Sequence, residues 1–144
     1  MKKLFCDCLL FNEMQMIALG RFFALQCPRD DAAALCGDLG SGKTTFTKGV
    51  ASAFDISSEV ISPSFVLLRE YPAPSITLYH FDLYRLEKTE DLHDIGFFDT
   101  LALPGIKIVE WADKFPLTEK YYQWMLYFSM LSPNQRRVQV FYHA

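Results

Sequence analysis

Residues 37–45 read Gly-Asp-Leu-Gly-Ser-Gly-Lys-Thr-Thr and match the spacing G-x-x-x-x-G-K-S/T of a phosphate-binding loop. Glycines let the backbone curl until successive N–H groups point at one anion, and a following helix adds its positive N-terminal end. Asp38, Gly40, Ser41, Gly42, Lys43, Thr44 and Thr45 are therefore the residues expected to wrap a chain of phosphates. Lys43 supplies the cation for the outer phosphates, and the Thr44 hydroxyl suits the Mg²⁺ that travels with a nucleoside triphosphate. The context agrees. The apolar run Ala32-Ala33-Ala34-Leu35-Cys36 precedes the loop as a buried strand would, and residues 44–54 follow it with a helical pattern. The competing reading is an ordinary glycine turn between a strand and a helix.

A chain of 144 residues supports one domain of ordinary size, and residues 1–144 read as a single phosphate-loop domain. With 51% hydrophobic and 15% aromatic residues it is not a disordered or solvating protein. A formal net charge of −3 provides no general attraction to nucleic acid or to an anionic membrane, so any RNA contact is expected through a partner. Cys6 and Cys8 are too close for a zinc-binding pair, and the four cysteines read as reduced thiols. No apolar run approaches membrane-spanning length, and the N-terminus lacks a signal-peptide pattern; a cytoplasmic protein is expected.

Along the chain, residues 3–10 read as a strand, and Asn12 caps a helix to about Gln26 with Met16, Leu19, Phe22, Phe23 and Leu25 as its apolar positions. Residues 55–65 are polar and aperiodic. They read as a loop that folds over the nucleotide, with Ser62 and Ser64 as sensors of the terminal phosphate or its metal, or as a plain surface turn. Residues 65–71 and 76–82 form an antiparallel hairpin ending in Asp82. Parallel strands deliver their C-terminal ends to a ligand, so Asp82 is placed as the carboxylate that holds Mg²⁺; the alternative is a strand-end cap. The strand at 106–109 runs into Glu110 and Trp111, giving a second acid for metal or water and an aromatic support for the site. A short helix at 89–95, core residues Phe97, Phe98 and Leu101, and a final hairpin of residues 121–131 and 136–142 complete a three-layer α/β domain, phosphate-loop-NTPase-like, with a mixed central sheet flanked by helices.

Five segments jointly resemble the TsaE (YjeE) family: residues 37–45, Ser-Pro-Ser-Phe at 62–65, His-Phe-Asp-Leu-Tyr-Arg at 80–85, Ile-Gly-Phe at 95–97 and Val-Glu-Trp at 109–111. The resemblance implies an ATPase, slow alone and partner-dependent, that uses ATP and Mg²⁺. It implies work with TsaB and TsaD in forming N6-threonylcarbamoyladenosine in tRNA, which it meets only through that complex. It further implies Lys43, Asp82 and Glu110 as the catalytic set, and Thr44, Asp82 and Glu110 as the metal-linked set. Ser64, Trp111 and Arg137 join the loop as nucleotide contacts, with a plain surface arginine as the alternative reading of Arg137. Two positions depart from the family pattern: Ser64 stands where threonine is usual, and Met16 stands where the first helix commonly has threonine. Two other classes remain on sequence grounds. A small-molecule kinase lacks here the arginine-bearing lid such enzymes bring, whereas a nucleotide-gated adaptor differs only in how much turnover matters. A GTPase is disfavoured because no Asn-Lys-x-Asp sequence follows the loop.

Overall fold

The computed structural model describes residues 2–56, 59–63 and 65–143. In chain order the elements are β1 (Lys2–Leu10), α1 (Glu13–Gln26), β2 (Ala32–Cys36), α2 (Lys43–Ala53), β3 (Leu68–Pro72), β4 (Thr77–Asp82), α3 (Thr89–Asp94), α4 (Phe97–Leu101), β5 (Ile106–Glu110), β6 (Trp124–Ser132) and β7 (Gln135–His143). Two tight helical segments, Ala112–Lys114 and Pro116–Tyr121, join β5 to β6. All seven strands lie in one mixed sheet of order β1-β7-β6-β2-β5-β4-β3. β2 is central and parallel to both β5 and β6, and β4 is parallel to β5; the pairs β3–β4, β6–β7 and β1–β7 are antiparallel.

Every residue of β2 and β5 is buried, as continuous apolar strands covered on both faces require. Strand alternation divides the core in two. Ala33, Leu35, Ile106, Ile108 and Leu126 join α1 and α2 on one face, while Ala32, Ala34, Cys36, Val109 and Met125 join Leu92 of α3 and Phe97 of α4 on the other. α1 and α2 touch through backbone. A Cβ on Gly20 would lie 2.0 Å from the Phe46 carbonyl oxygen, and one on Gly49 would lie 2.1 Å from that of Ile17. Reciprocal glycines thus set the helix spacing and fix α2, and with it the phosphate loop, over the sheet.

The expected elements are present with three corrections. Asn12 caps α1 as expected, its Oδ1 accepting the Gln15 N–H at 2.8 Å, but Phe22 and Leu25 are 48% and 63% exposed. The stripe facing α2 is Met16, Leu19, Gly20, Phe23 and Ala24, and positions 22 and 25 fall outside it. β3 begins at Leu68 rather than 65, because Leu67 turns left-handed with φ of 70° and ends the extended run. β6 begins at Trp124 rather than 121: Pro116 starts a tight helical segment that continues to Tyr121. Among the described residues no helix is long and apolar enough to cross a membrane.

Candidate active site

The loop between β2 and α2 takes its shape from glycines where left-handed backbone is required, Gly40 at φ of 79° and Gly42 at φ of 104°. The Ser41 N–H donates to the Asp38 carbonyl at 3.2 Å, and Arg136 Nε donates to the Gly40 carbonyl at 2.9 Å, pinning the outer limb of the loop to β7. Met16, the departure noted in α1, packs on the inner limb: its Cε would lie 2.6 Å from a Cβ on Gly42. The N–H groups of Lys43, Thr44 and Thr45 open α2 and have no acceptor within it, the first paired one being Phe46 to the Gly42 carbonyl. Ser41 Oγ is buried without a hydrogen-bond partner among the described residues. Free N–H groups and an orphaned hydroxyl inside one curl are what a bound phosphate satisfies.

The Lys43 ammonium donates to the Gly37 carbonyl and lies 3.8 Å from the centre of the Trp111 ring. Burial pushes it below the ordinary lysine range, against the opposing pull of Glu110, Asp113 and Asp82. Trp111 holds this place through a left-handed backbone, φ of 60°, with its N–H donating to the Leu35 carbonyl and its ring 4.8 Å from that of Tyr84.

Asp82 and Glu110 end β4 and β5 in direct register, and Glu110 is also in register with Leu35 near the end of β2. Both acids are nearly fully buried. Asp82 Oδ2 accepts from the Ser62 hydroxyl at 2.9 Å, and Oδ1 accepts from the Tyr84 N–H at 2.9 Å. The Thr44 hydroxyl donates to Glu110, 3.1 Å from Oε2 and 3.3 Å from Oε1. Glu110 Oε2 is also 2.6 Å from Nε2 of His80, a wholly buried residue of β4. Two adjacent buried carboxylates beside one hydroxyl form an all-oxygen donor set, and their proximity is relieved by a divalent cation. The residues fit Mg²⁺.

A cleft of about 730 Å³ contains loop residues 38–45 together with Ser62, Asp82, Tyr84, Glu110 and Trp111. The sequence-derived residues therefore meet in one place, with two exceptions. Ser64 lies outside the described residues. Arg137 is not brought to the cleft: strand alternation turns it to the other face of β7, where it makes a two-point ion pair with Asp7 of β1 at 2.6 and 2.9 Å. Arg136 is the arginine at the loop. Sequence reasoning also missed the wall from Leu10 to Glu13, the Pro133-Asn134 turn, and His80. The one legible signal was the His80–Asp82 spacing, which puts both side chains on the same face of a strand.

A parallel-centred α/β sheet, a glycine loop opening a helix, and two acids at neighbouring strand ends define a phosphate-loop protein of the NTPase type. The family model described as "Threonylcarbamoyl adenosine biosynthesis protein TsaE" matches residues 10–138. A protein of Bacillus subtilis named tRNA threonylcarbamoyladenosine biosynthesis protein TsaE is 39% identical over 101 residues, 70% of this chain and 63% of its own length. A protein of the same name from Nostoc is 40% identical over 89 residues, 60% of this chain and 55% of its own. The chain thus spans under two thirds of either relative. The crystal structure of Bacillus subtilis YdiB superposes with a TM-score of 0.78 at 27% identity, covering 100% of this chain and 88% of that one. The chain belongs to the TsaE family.

Proposed function

We propose that this protein binds and hydrolyses ATP with Mg²⁺ in the cytoplasm, as the TsaE component of tRNA N6-threonylcarbamoyladenosine formation alongside TsaB and TsaD. The observation that carries the reading is the convergence of Lys43, Thr44, Asp82 and Glu110 on one cleft under the phosphate loop. The biological role rests on the family and on the names of its relatives.

The chemistry assigned to the residues follows from charge. The loop N–H groups and the Lys43 ammonium stabilise negative charge on the transferring phosphoryl oxygens, the ammonium exchanging the Gly37 carbonyl for phosphate. Thr44, Asp82 and Glu110 would hold Mg²⁺, which when bound would supply charge neutralisation on those oxygens. Asp82 or Glu110 orients the attacking water, and Ser62 ties the 59–63 segment to Asp82 so that the loop senses the metal-side carboxylate. Leu10, Phe11 and Met16 furnish an apolar wall of the kind a purine packs against.

The deciding measurement is single-turnover ATP hydrolysis with and without TsaB and TsaD, beside reconstituted modification of tRNA. Partner-stimulated, Mg²⁺-dependent turnover is expected. ATP binding absent in every mixture would end this reading.

A further inference from the structure

His80 is a buried polar side chain beside the cleft to which phosphate-loop chemistry gives no task. It sits on β4 two residues before Asp82, opposite Ile108, and so faces the same side of the sheet as Glu110, beneath α2. Its side chain is 0% exposed. The imidazole reaches diagonally to Glu110, with Nε2 2.6 Å from Oε2, while Nδ1 is buried without a hydrogen-bond partner among the described residues.

A carboxylate oxygen only accepts, so the close contact places a proton on Nε2. The ring is thus a one-point donor aimed at Glu110. A ring serving only to fill space would gain nothing from this arrangement, since an apolar side chain of that volume leaves no buried nitrogen unpaired.

What the contact fixes is visible in the next bond. Both Glu110 oxygens lie within reach of the Thr44 hydroxyl, 3.1 and 3.3 Å away, so the carboxylate has no rotation of its own choosing from that side. Holding Oε2 on His80 selects one rotation, and the Thr44 O–H then points at Glu110, leaving its oxygen lone pairs to face the cleft. We infer that His80 is the positioning residue of this site: through its Nε2–H it sets the Glu110 carboxylate, and through Glu110 the direction of the Thr44 hydroxyl, without touching nucleotide. This rests on the proposed reading of the cleft as a Mg-nucleotide site.

Two measurements on the full chain test it. In nitrogen-15 histidine spectra of the wild-type protein, one of the three histidines is expected to carry a hydrogen-bonded proton on Nε2, its signal moving in Glu110→Gln and absent from His80→Gln. Fluorescent ADP is then titrated with and without Mg²⁺. His80→Phe is expected to bind ADP normally in EDTA but to need about tenfold more Mg²⁺, the usual scale of an outer-shell loss. His80→Gln, whose amide N–H reaches a similar point, is expected to restore most of that. An Nδ1–H tautomer at His80, or a Mg²⁺ requirement in folded His80→Phe within twofold of wild type, overturns the inference alone. Failure of His80→Gln, folded by circular dichroism, to improve on His80→Phe does the same. Wild-type protein that binds no ADP under any condition overturns the functional reading and this inference with it.

Discussion

Lys43 and the two arginines of β7 make separable demands on experiment. Lys43 is the only lysine that the described residues bring to the loop's interior, so Lys43→Ala is expected to lower ATP turnover on the order of a hundredfold or more in a steady-state phosphate-release assay. Arg136 holds the Gly40 carbonyl and Arg137 holds Asp7 on the opposite face. Arg136→Ala is accordingly expected to weaken ADP binding several-fold, the scale of about 1 kcal/mol for one hydrogen bond, while Arg137→Ala leaves it unchanged by calorimetry. Equal effects of the two would contradict the register of β7. A sequence places two adjacent arginines without saying which faces the ligand. Only pairing fixes that parity: the pairing of β7 with β1 is long-range, and its hairpin with β6 carries a register shift between Met130 and Ser132, beside the turn.

At the level of elements, most of the architecture was legible because its signals are local: an alanine strand, a glycine loop, an asparagine cap, two acids each closing an apolar run. What escaped was decided elsewhere. The exposure of Phe22 and Leu25 depends on where α2 crosses α1, and that crossing depends on Gly20 and Gly49, whose role no helical pattern announces. Likewise the Leu10–Glu13 and Pro133-Asn134 walls reach the cleft only because β1, β7 and β6 stack beside β2. The glycine contact gives a prediction whose sign is informative. Helix propensity alone would make Gly20→Ala or Gly49→Ala stabilising by about 1 kcal/mol. Because a Cβ would strike a backbone carbonyl, each is instead expected to destabilise by about 1–3 kcal/mol and to lower the thermal midpoint. A raised midpoint would show that the helices separate at little cost.

For the molecule as a whole, two reporters distinguish motion at the site from opening of the core. The two tryptophans divide the work: Trp111 lies against Lys43, whereas Trp124 is locked in the core with its indole N–H on Asp31 at 2.9 Å. Mg-ADP is expected to change the emission of the wild-type protein and of Trp124→Phe, and to leave Trp111→Phe silent, because a phosphate draws Lys43 off the ring. The thiols report on the core. Burial pushes Cys27 and Cys36 up to about 12, so at pH 8 about one in ten thousand of either is ionised in the folded state. Folding disfavours the thiolate, and the protection is lost only as pH climbs towards that value. Iodoacetamide at pH 8 should therefore leave both unlabelled by mass spectrometry until denaturant is added.

The strand order carries a further consequence, for synthesis. Among the seven described strands β1 emerges from the ribosome first, yet its sole neighbour in that sheet is β7, the last of the seven to be made. Until then the inward side chains Cys6, Cys8 and Leu10 have no sheet to rest on, and Gly40 has no Arg136 to hold it. The phosphate loop is translated in the first third of the chain, but its outer limb is fastened only by the closing hairpin. A nascent chain stalled before β7 would display the motif without its clamp and leave β1 to holdase chaperones.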